Sequence, residues 1–528
     1  MPTGGEALVR ALRALEVDVA FGLPGVHNLA AWKAFPGSGV RLVGVRHEQT
    51  AGYAADGYAR ATGRLGVALT TTGPGAANVV AATGEAWSAH SPLLVVATDV
   101  PTTARRPGVF RGTLHETTDQ ASFFRPVTKA CLRVARADDI GAAVQRAGRL
   151  ALEHPRRPVY LEVPTDLLSA TVELPPPPPA AASVYVRPLR LPGATARLAE
   201  SRRPLVWAGG GAQASDAGEL VRQLAWHLGA PVLTSYGGRG LLPPDDPNLV
   251  PLPPHAPEAG ALWDAADLVL VLGSDMDAMN TQGFRQPRPP TVLTVDLAEP
   301  VNLVPDVHVR ADVGEGLRAL LDGLPAGPRD CWFVRPAGRS SYAGPETTFL
   351  DELESGLPDD AVVVADMCVP GYWFGGFGRV GRPRGLAYPV GWGTLGFGFP
   401  AGLGAALSGR PAVALVGDGG FLFGCGDLAT AAQEQLPLTV VLVDDGGYGM
   451  LAYDFRRAGQ TPVGCDLEPP DFVALAAAFR VAAREVTVAE LGAAVAAGIA
   501  SGRPNLVVLK ASYLPPHNTS PRWYRADD

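Results

Sequence analysis

Short apolar runs alternate with stretches of helical period along almost the whole chain. Residues 17–21, 42–45, 67–70, 93–98 and 159–163 are apolar segments of strand length, with helical stretches between them. At the start, Ala7, Leu8, Ala11, Leu12 and Leu15 follow helical spacing, with Glu6, Arg10 and Arg13 between them. The chain is therefore expected to open on a folded helix, not a signal peptide. Strands that are apolar throughout, each followed by a helix, predict a parallel sheet covered on both faces. The rhythm returns at 204–208, 232–234, 268–272 and 292–295, and again at 361–365, 412–416, 439–443 and 506–510. The expected fold is α/β, with three doubly wound parallel-sheet domains whose similar sizes and rhythms point to duplication.

Five consecutive prolines, 175–179, exclude helix and central strand and read as a stiff extended linker. A stretch rich in glycine, proline and arginine, 325–345, reads as a second linker. The expected domains are 1–174, 183–324 and 346–528, with 175–182 and 325–345 between them.

Of 528 residues, 47% are apolar and 18% charged, below the roughly 25% charged of an average domain, so large cores can be buried. A net charge of −8 argues against a general nucleic-acid or anionic-membrane binder. Lys33, Lys129 and Lys510 are the only lysines among 44 basic residues, which codon bias in a GC-rich genome explains. The five cysteines are odd in number, scattered and without a C-x-x-C, a reduced pattern and not a disulfide framework or a zinc site. No apolar run approaches the roughly 20 residues of a membrane span. A cytoplasmic protein is expected.

The chemistry concentrates near the C-terminus. An apolar run ends in Gly417, Asp418, Gly419 and Gly420; a helical stretch follows, then another apolar run that ends in Asp444, Asp445, Gly446, Gly447 and Tyr448. Asp418 and Asp445 are one α/β unit apart, so both can reach the carboxyl edge of one parallel sheet, where ligands bind. Oxygen ligands there suit Mg²⁺, which is held by one or two carboxylates plus phosphates. The glycines allow backbone N–H groups to approach a diphosphate.

This pattern resembles the diphosphate motif of thiamine diphosphate enzymes, Gly-Asp-Gly followed by Asn-Asn. The resemblance implies a cofactor cradle of Gly417, Asp418, Gly419, Gly420, Asp445, Gly447, Tyr448 and Gly449. It also implies Mg²⁺ ligation by the Asp418 and Asp445 carboxylates and the Gly447 carbonyl. The chain departs from the family in having Asp444 and Asp445 in place of Asn-Asn, which adds a negative charge beside the diphosphate. Residues 46–49, 54–60 and 72–78 resemble the family's pyrimidine-binding domain. Thr72, Gly73 and Asn78 would line it. Glu48 matches the glutamate that hydrogen-bonds N1′ of the aminopyrimidine and favours the imino tautomer whose nitrogen removes the C2 proton. Residues 393–401 resemble the segment that begins the diphosphate domain's helix. Gly393 would contact the cofactor there, and Leu395 would prop it into its bent form. The resemblance covers essentially the whole chain, as pyrimidine, central and diphosphate domains in that order.

The branch is less sharply marked. Residues 114–129 resemble acetolactate synthases that lack FAD. Leu114, His115, Glu116, Asp119 and Gln120, with Pro24–His27, also resemble decarboxylases of 5-guanidino-2-oxopentanoate. His115 would lie beside C2 as a donor or proton relay; the alternative is a structural histidine. Glu116 replaces the glutamine of the acetolactate synthases, and Val26 stands where pyruvate-decarboxylase-like enzymes carry aspartate. His27 either faces substrate or caps the following helix. Val26, His27, His115 and Glu116 are thus the substrate-binding candidates. The central domain lacks the motifs of flavin-binding relatives, so FAD is not expected. The implied reaction is decarboxylation of a 2-oxo acid followed by acyl transfer to a carbonyl acceptor, as in acetolactate synthases. The alternatives are simple decarboxylation with release of an aldehyde and a non-catalytic cofactor- or metabolite-binding relative. The family resemblance also implies a homodimer or homotetramer with its active site at the subunit interface.

Overall fold

The computed structural model describes residues 1–106, 108–173 and 189–516, so the proline run 175–179 lies outside the described residues. Seventeen strands among these residues form three sheets, all of whose ladders are parallel. The first contains β1 (Val19–Gly22), β2 (Arg41–Gly44), β3 (Gly66–Thr70), β4 (Leu93–Asp99), β5 (Ala130–Arg133) and β6 (Val159–Pro164), in the order β2-β1-β3-β4-β6-β5. The second contains β7 (Pro204–Ala208), β8 (Val232–Thr234), β9 (Leu268–Leu272), β10 (Thr291–Asp296) and β11 (Val307–Arg310), in the order β11-β10-β9-β7-β8. The third contains β12 (Val362–Ala365), β13 (Leu386–Ala387), β14 (Ala412–Gly417), β15 (Leu438–Asp444), β16 (Ala482–Val486) and β17 (Asn505–Lys510), in the order β13-β12-β14-β15-β17-β16. The three parallel α/β sheets match the expected fold class.

Counted within their own domains, the first and third sheets have the same strand order, which supports duplication of one unit. In each, the first and third strands pair directly (β1 with β3, β12 with β14), and the connections leave in opposite directions. The crevice at their carboxyl ends is the topological switch point, where open α/β sheets bind ligands. Both halves of the candidate site lie at these two crevices.

The first and third domains pack through glycine. The helix Glu48–Thr62 lies against the helix Gly398–Ala405, and a Cβ at Gly57 or Gly404 would collide with the carbonyl oxygen of Ala401 or Ala54. Around this contact one buried core runs from Phe21, Val43 and Tyr53 to Phe397, Phe399 and Phe421. The stretch 325–345 is irregular except for a 3₁₀ turn at Gly338–Tyr342 and Pro345, which begins the helix Pro345–Ser355. It is tied back to the second domain, with Arg329 bonded to the Ser201 carbonyl and the Trp332 indole to the Pro204 carbonyl. No helix among the described residues is long and apolar enough to cross a membrane, and all five cysteines are free.

Candidate active site

In the first domain, the turns after β1 and β3 meet at Thr71. A Cβ at Gly25 would lie 2.7 Å from the Thr71 side chain, and one at Gly75 would lie 2.7 Å from its methyl and 3.0 Å from Glu48 Oε1. Only glycine lets these turns close around the threonine. Glu48 opens the helix Glu48–Thr62, so its carboxylate sits at the positive end of the helix dipole. The side chain is buried, and Oε2 accepts a 2.9 Å hydrogen bond from Asn78 Nδ2. The Thr71 hydroxyl has no partner.

Gln120 fixes the neighbouring turn. It is fully buried; its Oε1 accepts from the Gly73 amide at 2.6 Å, and its Nε2 donates to the Thr98 carbonyl and the Tyr160 hydroxyl. Gly73 needs its positive φ of 64°, and a Cβ there would strike the His115 carbonyl. The Thr72 hydroxyl pairs with that of Thr98 at 2.9 Å, so it braces two strand ends.

His115 itself has φ of +66°, an unusual conformation for a non-glycine residue and one that clusters at functional sites. Its ring meets that of His27 edge-on at 5.3 Å between centroids, and the Nδ1 atoms of both rings are buried without a partner among the described residues. Burial, then the neighbouring His115, holds His27 below the usual imidazole range. Glu116 faces elsewhere. Its carboxylate accepts from the Thr113 and Arg111 amides at 2.8 and 3.0 Å, which holds it below its usual range. Val26 is 61% exposed.

In the third domain, β14 ends at Gly417 and Asp418 starts the short helix Asp418–Leu422. Asp418 Oδ2 is buried without a partner. Burial and the facing carboxylate of Asp445 push the Asp418 carboxyl up, and burial pushes Asp445 up as well. Asp444 instead serves its own turn, accepting from the Gly446 amide at 3.2 Å. The loop after β15 is braced by a segment that the sequence did not single out. Tyr448 donates its amide to the Cys465 carbonyl at 2.8 Å, and Leu467 donates to the Gly446 carbonyl at 2.9 Å.

The glycines of this cradle are demanded by packing. A Cβ at Gly419 would lie 2.6 Å from the Tyr448 ring, one at Gly449 would strike the Asp445 carboxylate, and one at Gly447 would strike the Cys465 carbonyl. At Gly420 it would meet Asp366 Oδ2 at 2.6 Å and Leu395 Cδ1 at 3.1 Å. Leu395 therefore sits directly against the glycine turn, between Gly393 and Gly396 at φ of 76° and 85°. Asp366, at the end of β12, escaped the sequence reading. It is fully buried, accepts from the Met367 and Gly396 amides, and burial pushes its carboxyl up to about 6. Its place after an apolar run at the switch point is the signal that could have found it.

The candidate residues thus fall into two clusters, one per switch point. Among the described residues, no hydrogen bond joins Glu48, Asn78, His27 or His115 to Asp418, Asp445 or Leu395. No group of three or more histidine, cysteine or acidic side chains there is arranged to hold a metal, so a cation at Asp418 and Asp445 needs further oxygens from a ligand.

Comparison with known proteins finds three matching segments. Residues 2–123 match the description "Thiamine pyrophosphate enzyme, N-terminal TPP binding domain", 191–320 its central domain, and 368–509 its C-terminal TPP binding domain. The chain is 38% identical over 507 residues to the probable 2-ketoarginine decarboxylase AruI of Pseudomonas aeruginosa, covering 92% of this chain and 89% of that protein. It is 29% identical over 530 residues to a probable acetolactate synthase large subunit of Methanocaldococcus jannaschii, covering 92% and 87%. It is 30% identical over 517 residues to an acetolactate synthase of Mycobacterium bovis, covering 90% and 82%. With all three domains matched in order, the chain belongs to the thiamine pyrophosphate enzyme family.

Proposed function

We propose that the protein is a thiamine diphosphate- and Mg²⁺-dependent decarboxylase of a 2-oxo acid that releases an aldehyde. The third-domain residues fit the cofactor: a buried carboxylate oxygen without a partner, a second carboxylate facing it, and a glycine turn at a sheet's carboxyl edge. Asp418, Asp445 and the Gly447 carbonyl hold Mg²⁺, and the turns at 417–420 and 447–449 hold the diphosphate. When bound, thiamine diphosphate would supply a nucleophilic C2 carbanion toward the ketone and, in the adduct, a thiazolium as sink for the electron pair freed with CO₂. Glu48 holds the proton at N1′ of the aminopyrimidine, Asn78 orients Glu48, and Leu395 supports the bend that brings the two rings together.

The observation that carries the decarboxylase reading is the paired rings of His27 and His115, whose buried Nδ1 atoms lack partners. A neutral His27 offers a hydrogen bond to a substrate carboxylate without a buried charge of its own. The carboxylate in turn favours protonation of His27, which provides an acid beside the reacting carbon. The similarity to AruI supports this reading and makes 5-guanidino-2-oxopentanoate a first substrate to test. The similarity to acetolactate synthases favours a second reading, in which the acyl group passes to a carbonyl acceptor.

The two half-sites complete each other across two copies of the chain in this reading. Exposed apolar side chains flank both, Phe110 and Leu114 beside His115 and Phe423 and Leu451 near Asp418 and Asp445 in sequence, as expected for surface covered on assembly. FAD takes no part, and purified protein is expected to lack flavin absorbance. The test is CO₂ release across a panel of 2-oxo acids with analysis of the second product. An aldehyde supports the main reading, a 2-hydroxy ketone or acetolactate supports the second, and no turnover with bound cofactor refutes both.

A further inference from the structure

Leu395 is held between two glycines with positive φ, Gly393 and Gly396, so the local chain does not fix its position. Two buried carboxylates from different domains do. On one side, Asp366 accepts from the Gly396 amide with both oxygens, at 3.0 and 3.2 Å, and lies beneath Gly420 of the diphosphate turn. On the other, Glu85 of the first-domain helix Val80–Ser88 accepts from Thr394 Oγ1 at 2.9 Å. Glu85 is itself immobilised. Arg60 bonds it at 3.0 Å, bonds Asp56 at 2.7 Å, donates to the Tyr388 carbonyl at 3.1 Å, and lies 4.8 Å from the centre of the Phe397 ring. Gly84 adds a steric grip, because any side chain there would strike the Trp392 indole.

From this arrangement we infer that Glu85 and Asp366 are positioning residues for Leu395. They clamp the 393–397 turn from both sides so that the leucine supports the bent cofactor at one fixed depth. The inference rests on the proposed role of Leu395. Neither carboxylate is assigned to substrate or metal. Each acts through the turn it holds, Glu85 on the Thr394 hydroxyl and Asp366 on the Gly396 amide. The clamp also makes the packing of the first domain against the third a condition for the site's geometry.

The test separates the clamp from general stability. Thr394→Val is nearly isosteric and removes only the bond to Glu85; Thr394→Ser keeps the hydroxyl; Leu395→Ala removes the supported group. Each holoenzyme is measured for thiamine diphosphate affinity at saturating Mg²⁺ and for H/D exchange at C2 of the bound cofactor, and each apoprotein for thermal unfolding. Thr394→Val is expected to slow C2 exchange about tenfold, the scale of a small misplacement of reacting groups. Its cofactor affinity should stay within about threefold, about 0.7 kcal/mol or less, and its unfolding close to that of the parent. Thr394→Ser should restore the exchange rate. Asp366→Asn, with an amide group among the backbone donors, should slow exchange as well. Unchanged exchange in Thr394→Val while Leu395→Ala slows it would overturn the clamp and leave the role of Leu395 standing. Unchanged exchange in Leu395→Ala would overturn both. Slow exchange in both Thr394→Val and Thr394→Ser would also overturn the clamp, because the hydroxyl would then not be the group that matters.

Discussion

Asn78 donates from Nδ2 to Oε2 of Glu48 at 2.9 Å, so the carboxylate that opens the helix Glu48–Thr62 has one oxygen fixed and the other, Oε1, beside Gly75. An ionised carboxylate accepts at both oxygens, which suits a group that must also hold a proton at a ring nitrogen.

Glu48→Gln is expected to keep cofactor binding and to slow C2 H/D exchange by about 10²- to 10⁴-fold, the range for losing a general acid or base. The amide cannot supply the proton, and if its nitrogen turns toward Asn78 two donors face each other. Exchange in the bound cofactor measures this directly. A parent-like rate would remove Glu48 from its role.

The acidic pair at 444 and 445 separates into two environments. Asp445 faces Asp418, and Asp444 accepts from the Gly446 amide. Asp445→Asn removes a charge that attracts the cation but repels the diphosphate and Asp418. These opposed terms are of similar size, so the net change for the ternary complex should be about 1 kcal/mol, several-fold in affinity. Mn²⁺ binding measured alone should weaken, while thiamine diphosphate affinity at saturating Mg²⁺ should be equal or better. Asp445→Ala should damage both. Loss of cofactor binding in Asp445→Asn at saturating Mg²⁺ would contradict the assignment.

The sheets were legible because a strand buried on both faces is apolar along most of its length, and β1, β3, β4, β14 and β15 are, with polar residues such as Thr70, Asp99 and Asp444 only near their ends or singly within them. The edge strands β5, β11 and β16 were not. Their half-exposed positions accept polar residues such as Arg484 and Glu485 in β16, and these erase the pattern. In the site, the glycine motifs were visible because close backbone approach leaves no alternative residue. Glu85 and Asp366 carry no such mark, and Gln120, though it stands in the stretch 114–129 that carries the resemblance, shows no sign there of its role at Gly73. Their significance lies in partners far along the chain, 47 residues away for Gln120 and Gly73 and 309 for Glu85 and Thr394. Glu116 shows the converse, a motif position whose carboxylate is occupied by its own loop.

His255 gives the second domain an acid sensitivity. It is 4% exposed, and among the described residues Nδ1 has no partner while Nε2 lies 3.4 Å from the Tyr236 hydroxyl. Burial lowers it from 6.5 to about 4. Between those values the unfolded chain takes up a proton that the folded chain does not, so stability is lost as pH falls through this window, by up to about 3 kcal/mol. His255→Leu removes the titrating group at similar volume. The change in Tm between pH of about 7.5 and about 5 should be less negative in the variant than in the parent, on a background in which His27 contributes with the same sign as His255 and the raised Asp366 carboxyl with the opposite one. An identical change would show that His255 does not titrate in this window.

The two imidazoles are expected to act as one unit. His27 and His115 come from turns far apart in sequence, yet their rings touch edge-on and each leaves a buried Nδ1 free. If both bind the substrate carboxylate and then share the proton that completes the aldehyde, removing either leaves the other unable to perform the step alone. His27→Asn and His115→Asn should each lower kcat about 10²-fold or more, and the double variant should be little worse than the more damaged single one, because residues acting together are not additive. C2 exchange should stay near the parent rate in all three, since neither ring is assigned to deprotonating the cofactor. Stopped-flow CO₂ release and aldehyde formation would locate the loss. Independent, multiplicative effects would indicate separate roles, and a parent-like rate in His27→Asn would return that residue to a purely structural place after β1.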